Sequence, residues 1–229
     1  MLPAPVVQQH GRFRVVRDDL LPGGSKMRYM LPLLRDIAAN EIVYASPAVG
    51  YAQIALAHCC AMLGKRAVVF VAKRKTPHPR TLAAKAAGAT VYQVPCGYMT
   101  VVSSRARRFC ADRGAHLIPF GVDVPEALEH FAAAARTTGE APAEVWACSG
   151  SGALIRGLQL AWPAASFHAV RVGAVPRVGK ARLWTAPEKY EQPARLPPPF
   201  PSCDNYDAKV WQFASRYAAD GALIWNVGR

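Results

Sequence analysis

The sequence predicts an α/β protein in which parallel sheets are covered by helices. Three observations carry that expectation. Strand-like and helix-like segments alternate at short spacing from residue 41 to residue 175. The clearest strand, 65–72, contains a continuous apolar stretch from Ala67 to Ala72 where a half-exposed strand would alternate, as strands buried on both faces do. Helices stop at glycines such as Gly88 and Gly114, the punctuation of short βαβ units.

Taken in order, residues 13–16 read as a strand that ends in the paired acids Asp18 and Asp19. The turn Pro22-Gly23-Gly24 follows, with glycines free to adopt positive φ, and Ser25 is placed to cap a helix starting near Lys26. Strands are then expected at 41–45, 65–72, 90–94, 116–120, 144–147 and 167–175, and helices at 50–63, 80–87, 99–112, 126–136 and 153–162. From Pro176 the texture changes. Pro187, Pro193, Pro197, Pro198, Pro199 and Pro201 mark a long irregular connection, before a last helix at 207–219 and a last strand at 222–227.

With 229 residues, 52% of them hydrophobic, the chain is long enough for one large domain or two small ones. No apolar run approaches the roughly 18 residues of a membrane span, and no basic region followed by an apolar segment opens the chain, so a cytoplasmic protein with no membrane partner is expected. The six cysteines, Cys59, Cys60, Cys96, Cys110, Cys148 and Cys203, form no C-x-x-C pair. They read as reduced core residues, with no metal site or disulfide framework expected.

Charge is more informative. Twenty-eight lysines and arginines against fifteen acids give +13, which asks for an anionic partner, nucleic acid being the commonest; a generally arginine-rich proteome is the plain alternative. The bases cluster at Lys65-Arg66, at Lys73-Arg74-Lys75 with Arg80, at Arg105, Arg107 and Arg108, and at Arg171, Arg177, Lys180 and Arg182. These are either a rim for a polyanion or solvated faces.

Two stretches carry chemistry. Lys26 stands at a helix mouth, whose partial positive charge disfavours an ammonium and welcomes an anion beside it. In the second, a buried strand runs into Ser149-Gly150-Ser151-Gly152 and directly into a helix at Ala153, so that N–H groups and two hydroxyls converge as in a phosphate site.

The first stretch, Arg17-Asp18-Asp19-Leu20-Leu21-Pro22-Gly23-Gly24-Ser25-Lys26-Met27-Arg28, resembles the R-D-D-L-x-x-G-G-N-K-x-R segment of fold type II pyridoxal-phosphate (PLP) enzymes. The likeness is to the aminocyclopropane-carboxylate deaminase and D-cysteine desulfhydrase branch of the tryptophan synthase β superfamily, with Ser25 in place of asparagine. It implies two subdomains with the cofactor cleft between them: residues 1–44 with 141–229 as the larger, and 45–140 as the smaller. It further implies that Lys26 holds PLP covalently and is the nearest base for a Cα proton, that residues 149–153 grip the phosphate, and that the protein is a homodimer.

Ser46-Pro47-Ala48-Val49-Gly50-Tyr51-Ala52-Gln53 falls where such enzymes carry S-x-x-S-N-H-A, the asparagine facing the cofactor ring and the serines the substrate. Here Gly50 replaces the asparagine. Tyr51 and Tyr206 are the candidate acid/base groups, each with a plain packing role as its alternative. Arg28, Ser46, Lys73, Arg74, Lys75, Arg177 and Lys180 are candidate substrate or polyanion contacts. The chain ends at Arg229, and no counterpart of the family's late partner for the pyridine nitrogen is identified.

Size and charge are also similar to the short PLP enzymes of bacteriophage DNA base hypermodification. That resemblance implies a lyase, of decarboxylase type, acting at the Cα of an amino acid attached to thymine. A deaminase-like or desulfhydrase-like lyase on a free small amino acid, and a non-catalytic nucleic-acid-binding module on the same fold, stand as alternatives.

Overall fold

A computed structural model describes residues 2–95 and 97–229, so Cys96 lies outside the described residues. The strands are β1 (Val7–His10), β2 (Phe13–Arg17), β3 (Glu41–Ala45), β4 (Arg66–Ala72), β5 (Thr90–Val94), β6 (His116–Ile118), β7 (Glu144–Ser149), β8 (Ser166–Arg171), β9 (Arg182–Thr185) and β10 (Leu223–Asn226). The helices are α1 (Lys26–Asp36), α2 (Ala52–Met62), α3 (Pro79–Ala86), α4 (Met99–Arg113), α5 (Pro125–Arg136), α6 (Ala153–Ala161) and α7 (Ala208–Tyr217). The fold is α/β of the expected kind, and its compact units are Met1–Tyr29 with Pro125–Arg229, and Met30–Val124.

The first unit is built on a six-stranded sheet of order β1-β2-β10-β7-β8-β9. Apart from the β1/β2 hairpin, its strands run parallel. The last strand of the chain, β10, is inserted at the centre, with Trp225 in register with Val16 of β2 and Ala147 of β7. On one face Phe13, Trp146, Val170 and Ile224 meet Val210 and Ala214 of α7. On the other, the Trp225 ring packs 5.0 Å from Phe131 of α5. Burying each of these two tryptophans contributes about 4–6 kcal/mol of hydrophobic transfer before entropy is counted. The result is a sheet covered on both sides, which explains its continuous apolar strands.

The second unit carries a four-stranded, all-parallel sheet of order β5-β4-β3-β6. Val43, Val68, Phe70 and Val94 face Val102 and Ala106 of α4. Its first strand, β3, lies inside the sheet, so the winding reverses between β3 and β6, where loops leave the carboxyl ends of the strands in opposite directions.

Several elements differ from expectation. β3 pairs with β4 and β6, which assigns residues 41–45 to the four-stranded unit. α5 belongs with the six-stranded unit, because Phe131 packs on Trp225 and Ala127 and Ala132 are also buried there. β8 stops at Arg171 and not at 175, since Gly173 turns the chain at φ +89°. The polar strand β1 and the edge strand β9, which falls within the region expected to be irregular, lack the apolar pattern that marks a buried strand. Five cysteines are free thiols, four of them buried, as a reduced core requires.

Candidate active site

Lys26 opens α1 and is half-buried. The loop before it is fastened by two buried ion pairs. Arg17 grips Asp19 through two hydrogen bonds of 2.7 Å, and Arg28 Nε reaches Asp18 Oδ1 at 2.6 Å. β10 completes the attachment: Trp225 Nε1 donates to Asp18 Oδ2 at 3.0 Å and to Ser25 Oγ at 2.9 Å, and Asn226 Nδ2 donates to Asp19 Oδ1 at 2.8 Å. The Ser25 N–H bonds the carbonyl of Val227 at 2.9 Å. The serine hydroxyl, expected as a helix cap, is therefore an anchor for the central strand.

These contacts correct one expectation. Arg28 is only 7% exposed, its guanidinium held by Asp18 and by the Pro3 carbonyl at 2.8 Å, so it orients the loop and is no surface for an anion. Trp225 and Asn226 were not singled out in the sequence. Their signal was present all the same: an asparagine and an indole donor in a four-residue strand buried throughout need acceptors, and two adjacent acids need donors.

The glycine-rich loop 149–152 leaves β7 at the same edge of the same sheet. β2, β10 and β7 are consecutive parallel strands, so the ends of β2 and β7 lie roughly 10 Å apart at ordinary strand spacing. Both glycines are required by close approach. A Cβ at Gly152, where φ is +90°, would lie 1.8 Å from the carbonyl oxygen of Arg177. One at Gly150 would lie 2.9 Å from the Tyr206 hydroxyl.

Ser149 is buried, and its hydroxyl has no hydrogen-bond partner among the described residues. The N–H groups of Gly150, Ser151 and Gly152 likewise have no acceptor there, and only a long 3.4 Å contact joins the Ala153 N–H to Ser151 Oγ. An orphaned hydroxyl beside unsatisfied N–H groups at the start of α6 fits a phosphate group. Tyr206 adds a phenol that burial, with Cys148 and Asp207 nearby, pushes well above its ordinary pKa, so it stays protonated and can donate.

The second unit holds the other expected loop at the carboxyl end of β3. A Cβ at Gly50 would come within 2.7 Å of Ser46 Oγ and 3.0 Å of the Pro47 carbonyl oxygen, so a side chain there requires this tight turn to shift. Gln53 Nε2 ties the turn through the carbonyls of Ala48, at 2.9 Å, and Gly50, at 2.8 Å. Ser46 is fully buried and donates to the Pro47 carbonyl at 2.9 Å; it shapes the loop and presents no hydroxyl at its surface. Tyr51 lies under the Arg80 guanidinium, 5.2 Å from ring centroid to Cζ. Lys73, Arg74 and Lys75 are exposed. In the first unit, Arg177 and Lys180 are exposed too, but the Arg177 carbonyl abuts Gly152 and Lys180 Nζ donates to the Pro163 carbonyl.

A lysine at a helix mouth and a glycine-bounded cradle of N–H groups, both at the carboxyl ends of strands of one sheet, are parts with which an α/β enzyme can hold a phosphorylated cofactor. The family described as pyridoxal-phosphate dependent enzyme matches residues 2–224, and the chain belongs to that family; its cofactor is pyridoxal 5'-phosphate. Among solved structures, an ACC deaminase homologue is similar over 94% of this chain and 84% of its own, with a TM-score of 0.81 at 15% identity. O-ureido-L-serine synthase covers 97% of this chain and 86% of its own, with a TM-score of 0.69 at 14% identity. Escherichia coli diaminopropionate ammonia lyase covers 94% and 77%, with a TM-score of 0.65 at 13% identity. At these identities the likeness is one of fold. No curated protein matches the sequence significantly. No helix of the described residues is long and apolar enough to cross a membrane.

Proposed function

We propose that the chain is a PLP-dependent lyase, of decarboxylase or deaminase type, acting at the Cα of an amino-acid group. The observation that carries this reading is that the loop leading to Lys26 and the 149–153 cradle leave the carboxyl ends of β2 and β7, which flank β10 in one sheet. Bound there, PLP supplies an electron sink for a bond broken at the Cα of its partner amine. Lys26 provides the amine that holds the cofactor and, when released, a base for the Cα proton. The N–H groups of Gly150 to Ala153 and the Ser149 hydroxyl bind the phosphate. Tyr206, kept protonated beside Gly150, donates a proton or hydrogen bond at that end of the site.

The amino-acid group is attached to a thymine base of DNA, an assignment supported by the +13 charge and by the exposed run Lys73-Arg74-Lys75. Gly50, at the position where the resemblance places an asparagine, also favours a substrate other than the small free amino acid of the deaminase branch. The enzyme acts as a homodimer in the cytoplasm. The test is turnover of amino-acid-bearing thymidine oligonucleotides against free amino acids, with CO2 and ammonia both followed. Release from the oligonucleotide that is absent in Lys26→Ala is expected. Turnover of free amino acids alone would replace the DNA-borne substrate, and turnover of neither, with DNA still bound, would leave a binding module.

A further inference from the structure

The second unit carries twelve lysines and arginines against four acids over residues 30–124, a net +8 of the chain's +13. Part of that charge is neutralised locally. Glu41 takes Arg66 at 3.3 Å and Arg113 at 3.1 Å, at the amino-terminal edge of the sheet, and Asp112 takes Arg108 at 3.8 Å. The carboxyl edge is different. Lys73, Arg74 and Lys75, which follow β4, are all exposed, and their side chains have no hydrogen bond or ion pair among the described residues. The one acid on the loops of that edge, among the described residues, is Asp123.

Two large aromatic side chains stand on the same edge. Tyr98, after β5, is 78% exposed, and Phe120, after β6, is 62% exposed. Their neighbourhood with the bases follows from register. Ala72 pairs with Val94, and the Lys73 N–H bonds the Val94 carbonyl at 2.8 Å, so the chain leaves β4 and β5 side by side. A Cβ at Gly97 would sit 3.1 Å from the Ala72 side chain, which fixes the residue before Tyr98 on the end of β4. Tyr44 pairs with Ile118, which puts the exit of β6 next to that of β3.

Phe120 is held outward by a strained turn. Gly121 at φ +76° is followed by Val122 at φ +53°, a left-handed conformation that a β-branched residue rarely adopts. The Val122 side chain is buried in compensation, and the Gly121 N–H is held by the Tyr44 hydroxyl at 3.2 Å. Four strands at ordinary spacing place these loops along an edge on the order of 15 Å long.

Exposed bases interleaved with exposed aromatic rings suit a strand whose phosphates and base faces are both accessible. A duplex offers the phosphates but stacks its base faces away, so only an unpaired strand uses both features. We propose that the carboxyl edge of the four-stranded sheet docks single-stranded DNA, with Lys73, Arg74 and Lys75 on the phosphates and Tyr98 and Phe120 stacked on bases. The inference rests on the DNA-borne substrate proposed above and specifies the form in which that DNA is presented.

The test is a fluorescence anisotropy titration of the full chain with a labelled oligo(dT) of twenty nucleotides and with the matching duplex, between 50 and 300 mM salt. The single strand is expected to bind more tightly than the duplex. Replacing Lys73, Arg74 and Lys75 together by alanine should lower the magnitude of the salt slope by about 2, since each phosphate contact on a single strand contributes about 0.7. Tyr98→Ala and Phe120→Ala should each weaken the single strand about five- to hundredfold, the range that one stacked base supplies, and leave duplex binding unchanged. Duplex bound as tightly as the single strand, or aromatic variants that bind like the parent, would overturn the proposal. The probe carries no amino acid, so Lys26→Ala should bind it normally. Loss of docking with the cofactor still held on Lys26 counts against the dock alone, and loss of the cofactor with docking intact counts against the enzyme alone.

Discussion

Replacing Asp18 by alanine tests whether the buried ion pairs set the mouth of α1. Asp18 is completely buried and accepts from Arg28 Nε at 2.6 Å and from Trp225 Nε1 at 3.0 Å. The variant leaves the Arg28 guanidinium, whose side chain is 4% exposed, without a counter-charge. Removing one partner of a buried pair costs about 3–5 kcal/mol. The Trp225 indole keeps its bond to Ser25 Oγ at 2.9 Å, so little is added by that group. Against a total stability of about 5–15 kcal/mol, the loss is a large fraction.

Arg28→Met alone should also be costly, because it strands the carboxylate. The double variant should be less destabilised than the two singles together by about 1–3 kcal/mol, the size expected of directly coupled groups. Urea unfolding followed by circular dichroism measures all three. A loss below about 1 kcal/mol in Asp18→Ala, or simple additivity in the double variant, would refute the reasoning. The pair would then be decoration on a loop held by β10 alone.

Three further outcomes follow from the same geometry. Gly152→Ala drives a Cβ to 1.8 Å from the Arg177 carbonyl at a φ of +90°, so the loop must shift; titration of the apoprotein with PLP should show about five- to thirtyfold weaker binding, the equivalent of the roughly 1–2 kcal/mol strain of a left-handed residue. Tyr206→Phe removes the phenol beside Gly150 and should lower turnover of an amino-acid substrate by about a hundredfold with cofactor binding retained, which steady-state kinetics and the visible spectrum separate. His168 has its pKa lowered by burial, chiefly, with Arg182 adding to the effect and Glu144 opposing it, and its Nδ1 accepts from Trp184 Nε1 at 3.0 Å. Because the unfolded chain binds that proton more readily, stability should rise with pH and be lost as pH falls through about 6.5. Urea midpoints at pH 5.5 and 7.5 check the sign, and His168→Gln should reduce the difference, the rest belonging in part to His10, His58 and His78, whose pKa values burial also lowers.

The sequence made the fold class legible through its buried strands, because a parallel sheet covered on both faces needs runs such as Ala67 to Ala72 and helices between them. Lys26 and residues 149–153 stand out as candidates for a related reason: glycines and a lysine at a helix start have few purely structural uses. What stayed hidden depends on partners remote in the chain. Trp225 of β10 lies 207 residues beyond Asp18 yet its indole donates to that carboxylate, and no local pattern announces the insertion of β10 between β2 and β7. Arg28 read as an available cation because a guanidinium and its buried acid look alike in sequence whether paired or free. Gly50 read as a missing functional side chain, whereas it also closes a turn in which a Cβ would press on Ser46 Oγ and the Pro47 carbonyl. β1 and β9 escaped because edge strands need no apolar alternation.

The central claim is that Lys26 carries the cofactor. Borohydride reduction of the protein loaded with PLP, followed by peptide mapping, tests it most directly. A stable pyridoxyl group on the peptide containing Lys26, absent from Lys26→Ala, is the predicted result. A label on another lysine, such as the fully buried Lys209, or no uptake of PLP at all would contradict the account.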